Sequence, residues 1–184
     1  MKELSVVGVR VELPSNQPIV LLKEEEGERY LPIWIGPFEA EAIAMELQGV
    51  TAARPLPYDL MKTIINDMGG EVREILVTDL AQDVFYARIV IDVNGHSLEI
   101  DSRPSDAIAL AVRTRVSILV DESVMERAGV RLEAEAEGEE EEEGAETPER
   151  EALAGGGPSG ADLSVFRDFI NSLDLDDFEK KRDN

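Results

Sequence analysis

The chain has 184 residues, 43% of them hydrophobic, with a formal net charge of −22 and no cysteine. That length suits one ordinary domain plus appendages. The missing thiols exclude disulfides and thiolate metal sites, and no apolar run approaches the ~20 residues of a membrane helix.

The opening Met1-Lys2-Glu3-Leu4 lacks a signal-peptide core, so a cytoplasmic location and no membrane partner are expected. The charge is uneven: residues 1–131 hold 13 basic against 22 acidic side chains, the rest 5 against 18. A field of this sign repels polyanions. Nucleic-acid chemistry here therefore needs a local basic pocket or bound cations.

In chain order, Glu3–Leu13 places Val7, Val9, Val11 and Leu13 at alternate positions and reads as a strand. Pro14 to Gln17 is a turn, Pro18–Lys23 a second strand, and Glu24 to Glu28 a charged loop. Arg29–Ile35 returns as a third strand and stops at Gly36-Pro37, completing an antiparallel meander. Phe38–Gln48 has Ala40, Ile43, Ala44 and Leu47 on one helical face. Arg54-Pro55-Leu56-Pro57 is an extended connector. Tyr58–Met68 is a second helix, closed by Gly69-Gly70.

Glu71–Leu80, Val84–Val93 and His96–Asp101 are strands, the last two joined by Asn94-Gly95, a type I′ signal. Ser117–Val120 is a short strand, and Glu122–Ala128 a final helical turn or two.

The corner between the sixth strand and the next helix, Ile100 to Ala111, concentrates polar groups beside an apolar helix. Pro104 keeps Arg103 extended, and Ser105 is the expected N-cap. Asp101, Arg103, Ser105 and Asp106 then crowd a helix N-terminus, where four backbone amides lack partners.

From Leu132 the character changes. Residues 132–162 combine a glutamate-rich run with Gly155 to Gly160 and are expected to be a disordered linker. Residues 163–184 place Leu163, Phe166, Phe169, Ile170, Leu173 and Phe178 on a short amphipathic helix, a candidate contact for a protein partner.

Residues 1 to about 130 resemble the bifunctional nuclease domain family. The matching stretches are Leu31-Pro32-Ile33-Trp34-Ile35-Gly36 with Glu39-Ala40 and Ala42-Ile43, Arg54-Pro55-Leu56 with Asp59-Leu60, and Arg103 through Ala111. The resemblance implies an α+β wedge, built on a mixed or antiparallel sheet meander with three to four packing helices. It also implies a homodimer or higher oligomer and nuclease activity on DNA and RNA. The family often carries Thr-His-Asp-Leu where this chain has Pro57-Tyr58-Asp59-Leu60. A phenol titrating near ~10 is a poor base at neutral pH, which shifts weight to carboxylates and metal.

Two functions fit these residues. In the first, a metal-assisted nuclease uses Glu39, Asp59, Asp106 and Arg103 for catalysis and Arg54, Arg103 and Ser105 to hold phosphate. Glu39, Asp59, Asp101 and Asp106 would take Mg²⁺ or Mn²⁺, hard cations that prefer oxygen ligands. In the second, the protein is a non-catalytic oligomeric binding module. Ser105 and Asp106 then only cap, and Arg103 pairs with Asp101 or Glu39. His96 reads as a solvent-facing hairpin residue, and Trp34 as core or interface packing.

Overall fold

The computed structural model describes residues 1–12 and 15–131. The chain divides after Arg131; the acidic linker and C-terminal helix expected from the sequence lie outside the described residues.

The elements are β1 (Lys2–Glu12), β2 (Gln17–Glu24), β3 (Arg29–Trp34), α1 (Pro37–Leu47), α2 (Pro57–Asp67), β4 (Gly70–Ala81), β5 (Val84–Val93), β6 (His96–Ser102), α3 (Pro104–Thr114), β7 (Ser117–Val120), α4 (Glu122–Ala128) and β8 (Val130–Arg131). The strands form one mixed sheet in the order β6-β5-β4-β7-β1-β2-β3-β8. All neighbours are antiparallel except β4 and β7, which run parallel. A parallel return needs a crossover, and α3 lies on that path between β6 and β7. The α+β architecture follows.

The β5–β6 turn is the one the sequence specifies. Asn94 and Gly95 take φ of 53° and 82°, the pair of positive values that a type I′ turn requires.

The core lies between the sheet and α3. Ile75, Val77 and Val120 from the sheet are sealed with Ile108, Leu110 and Ala107 from the helix. Each fully buried Ile, Leu or Val contributes about 1.5–3 kcal/mol relative to exposure. Small side chains at Ala107, Ala109 and Ala111, all within 1% of full burial, let α3 approach its neighbours closely. A helix this buried holds its first turn in a fixed place, which positions the corner.

Helices α1, α2 and α3 begin with the same grammar: Gly36-Pro37-Phe38-Glu39, Leu56-Pro57-Tyr58-Asp59 and Arg103-Pro104-Ser105-Asp106. In each, the N-cap residue is extended, proline is at N1 and an acid stands in the first turn. Proline excludes helical geometry from the residue before it and pre-sets its own φ. The acid faces the positive end of the helix dipole. Ser105 is therefore not the N-cap: Pro104 occupies N1, which moves the cap back to Arg103 and leaves Ser105 buried at N2. Arg103 stays extended as Pro104 dictates, with φ −67° and ψ 144°.

Candidate active site at the helix corner

The first turns of α1, α2 and α3 meet at Arg103. Its Nε donates to Asp106 Oδ2 at 2.7 Å, and its Nη2 donates to Asp106 Oδ1 at 3.0 Å and to Glu39 Oε1 at 2.7 Å. Tyr58, from α2, donates its hydroxyl to Asp106 Oδ1 at 2.7 Å. Four side chains from three stretches far apart in sequence thus share one cluster. The fork-to-carboxylate geometry fixes the guanidinium plane.

Exposure differs sharply within the cluster. The Arg103 side chain is 67% exposed, whereas Glu39 and Asp106 are 13% and 24% exposed. The carboxylates form the floor and the guanidinium its open surface. Among the described residues Arg103 Nη1 has no hydrogen-bond partner, so one edge of the fork is left open.

Electrostatics separates the carboxylates by role. Burial opposes ionisation of Asp106, but hydrogen bonds from Arg103 and Tyr58 outweigh it and hold the carboxyl below its usual range. Both oxygens are occupied, so Asp106 is a poor proton acceptor. Glu39 has one oxygen on Arg103; the other, Oε2, lies over Gly36, where an added Cβ would strike it. Tyr58 is the opposite of a base. Burial first, then its hydrogen bond to Asp106, raises its pKa above the ordinary value, so the phenol keeps its proton and acts as a fixed donor.

Asp59 and Asp101 do not join this cluster. Asp59 Oδ2 accepts from the Leu56 backbone N–H at 2.8 Å, half of a capping box, since leucine offers no side-chain acceptor in return. Its Oδ1 accepts from Arg113 Nε at 2.7 Å. Arg113 is seven residues beyond Asp106 on α3, about 10 Å along a helix rising ~1.5 Å per residue. Burial opposes the charge on Asp59, but the Leu56 amide and Arg113 hold its pKa below the usual range. Asp101 is exposed on β6 opposite Arg88; strand alternation turns it away from the face that Ile100 continues.

No group of three or more His, Cys, Asp or Glu side chains is placed to hold a cation among the described residues. The two acids at the corner already bind one guanidinium. Glu39, Asp59, Asp101 and Asp106 do not form a ready-made Mg²⁺ or Mn²⁺ cage among the described residues.

The phosphate set is also redistributed. Ser105 is only 8% exposed, buried at N2 of α3. Arg54 is exposed in the connector two residues before the α2 N-cap, with no hydrogen bond or ion pair to a described residue. His96 is exposed beside its turn. Trp34 is half-buried, its indole N–H directed at Glu12 Oε2 at 3.4 Å.

Arg113 escaped the sequence reading. Its side chain is 3% exposed. Besides Asp59 it donates to the carbonyls of Ala109 (2.8 Å) and Ala42 (3.0 Å), and it lies 5.4 Å from the Tyr58 ring centre. It ties α1, α2 and α3 together beneath the corner. The available signal was its position four residues after Ala109, on the face α3 buries.

Comparison with known proteins identifies the family. The family described as Bifunctional nuclease domain matches residues 20–133. An uncharacterized protein of Mycobacterium tuberculosis is 41% identical over 179 residues, covering 97% of this chain and 99% of that one. Bifunctional nuclease 2 of Oryza sativa subsp. japonica is 32% identical over 128 residues, 67% of this chain and 39% of the rice protein. Bifunctional nuclease 1 of Arabidopsis thaliana is 32% identical over 119 residues, 62% of this chain and 37% of its own length. With the family match spanning the sheet from β2 onward and all of the corner, the chain belongs to the bifunctional nuclease domain family.

Proposed function

We propose that this protein hydrolyses phosphodiester bonds in DNA or RNA at the helix corner. The observation that carries the reading is an exposed guanidinium, fixed by two half-buried carboxylates, where three helix N-termini meet. Arg103 grips a phosphate oxygen through its open edge, Arg54 supplies a second positive contact, and the helix dipoles add positive potential. Such a local pocket is what an otherwise acidic chain needs to hold a polyanion. Glu39, whose Oε2 is not spent on Arg103, is the carboxylate suited to accept a proton from the attacking water. That water forms the new P–O bond as the old one breaks, and the departing oxygen takes a proton from solvent. Asp106 and Tyr58 orient Arg103. Asp59 acts through Arg113, as a positioning residue.

The test compares purified wild type with Arg103→Ala and Arg103→Lys on single-stranded DNA and RNA, with Mg²⁺, with Mn²⁺ and with EDTA. Loss of one transition-state donor costs about 10²–10³-fold, and lysine should not restore it, having no fork. Cleavage that survives both substitutions belongs to a contaminant and defeats the proposal.

Self-association is a second reading that one observation favours. Leu60 and Ile64 on α2 and Met68 at its C-cap stand at i, i+4 and i+8 and are 52%, 47% and 75% exposed, a stripe on the face α2 turns away from the core. We infer that a second copy covers it. Light scattering of Ile64→Glu should then report a smaller particle than wild type; equal mass would refute the inference. Among the described residues no helix is long and apolar enough to cross a membrane.

A further inference from the structure

Phe38 is the most exposed large hydrophobic residue of the described chain, at 81%. Its surroundings do not need it: α1 packs through Ala40, Ala42 and Ile43. A ring left in water forgoes about 1.5–3 kcal/mol of burial, so it contributes almost nothing to the fold. A single exposed apolar residue is unremarkable on most surfaces; the position of this one is what matters. Phe38 is the second residue of α1, fixed between Pro37 at N1 and Glu39, whose carboxylate holds Arg103 at 2.7 Å. Consecutive Cα atoms are about 3.8 Å apart, so the exposed ring and the carboxylate that holds Arg103 leave the same first turn of α1. Proline removes backbone freedom from the residue just before the ring.

We propose that Phe38 is a base-stacking platform that makes single-stranded nucleic acid the preferred substrate. This inference rests on the proposed nuclease reading. A nucleobase stacks on the exposed ring while its neighbouring phosphate lies on Arg103. Every base has a π-face, so the contact is tolerant of sequence. A duplex buries those faces between base pairs, and its phosphates reach Arg103 without gaining the stack. Paired bases would first have to be unstacked, at a few kcal/mol per step. The ring therefore sets strand preference, and Arg103 sets affinity for phosphate in general.

The experiment measures binding of the full chain to a fluorescently labelled single-stranded oligonucleotide, the same strand with abasic positions, and a matched duplex. Wild type is compared with Phe38→Ala, Phe38→Leu, Phe38→Trp and Arg103→Ala. Phe38→Ala and Phe38→Leu should weaken single-strand binding by about 5- to 150-fold, the range for losing one stacked base. Phe38→Trp should bind at least as tightly as wild type. Abasic and duplex ligands should hardly distinguish the Phe38 variants, and in turnover the loss should fall on KM.

If Phe38→Leu binds single strands like wild type while Arg103→Ala does not, stacking is wrong and the phosphate site stands. If wild type and Arg103→Ala bind no nucleic acid, both readings fall. If Phe38→Ala changes the particle mass in light scattering and leaves the affinity intact, the ring is a protein contact and the proposal is overturned.

Discussion

Two arginines, one the N-cap of α3 and the other ten residues further along that helix, do opposite work with nearly the same bonds. Each donates Nε to an aspartate at 2.7 Å, Arg103 to Asp106 and Arg113 to Asp59. Each aspartate stands in the first turn of a helix that begins with proline. Arg113 is 3% exposed and spends its remaining donors on backbone carbonyls; Arg103 is 67% exposed and keeps one amino group open. A saturated buried guanidinium cannot answer a ligand, because any new bond must break one already made. An exposed guanidinium held on one edge can, because its plane is fixed before the ligand arrives. Burial and saturation, and not bond length, separate scaffold from site.

Substitution should break the comparison cleanly. Arg103→Ala loses the most activity, about 10²–10³-fold, and costs under about 1 kcal/mol of stability, because exposed ion pairs contribute little. Arg113→Ala reverses the pattern. Removing one partner of a buried pair costs about 3–5 kcal/mol; Asp59 is 39% exposed and regains some water, so about 2–4 kcal/mol is expected, read by urea unfolding.

Tyr58→Phe lies between the two. It deletes one hydrogen bond to a charged carboxylate, about 1–2 kcal/mol, and frees Asp106 to rotate. Cleavage should fall by roughly 10-fold through Arg103, as expected of a misplaced contact. A wild-type rate in Tyr58→Phe would show that Asp106 needs no third anchor.

Acid should sharpen the same contrast. Asp59 and Asp106 have folded pKa values below their unfolded ones, and so does Glu24, held mainly by its hydrogen bonds from Arg29 against the opposing effect of burial. A depressed folded pKa adds stability above the unfolded value, near ~4, and that stability is lost as pH falls through the folded value. Denaturant titrations should be flat from about pH 7 to 5 and steepen below about 4. Asp106→Asn and Glu24→Gln should each make the acid slope shallower.

The smallest effect on the fold is expected at Gly36. A Cβ there would strike Glu39 Oε2, the far end of a flexible side chain, so Gly36→Ala should turn the carboxylate off Arg103. Stability should change by under about 1 kcal/mol, while cleavage drops several-fold. Melting and turnover of the same preparation check both halves.

Sequence pattern revealed the elements better than their functional pairings. Alternation at Val7, Val9 and Val11, the Asn94-Gly95 turn and the helical stretch after Pro104 are local signals, and each is found where it is expected. Val130–Arg131 was missed because two residues carry no period. Ser105 was misplaced by weighing its capping hydroxyl above the N1 preference of Pro104, which shifts the cap to Arg103. The four acids all stand near element ends, yet only Glu39 and Asp106 meet. Which ends converge depends on sheet order and helix packing, and neither leaves a local mark. Arg113 shows the limit most clearly: an arginine in a helix reads as surface until the opposing carbonyl of Ala42, 71 residues away, is in place.

The most direct test measures thermal unfolding and single-strand cleavage together on Arg103→Ala and Arg113→Ala. The account predicts that Arg103→Ala melts within a few degrees of wild type and has lost cleavage. It predicts that Arg113→Ala melts about 8–16 °C lower. An Arg103→Ala protein that cleaves like wild type, on material that also shows the Arg113→Ala melting drop, would contradict it.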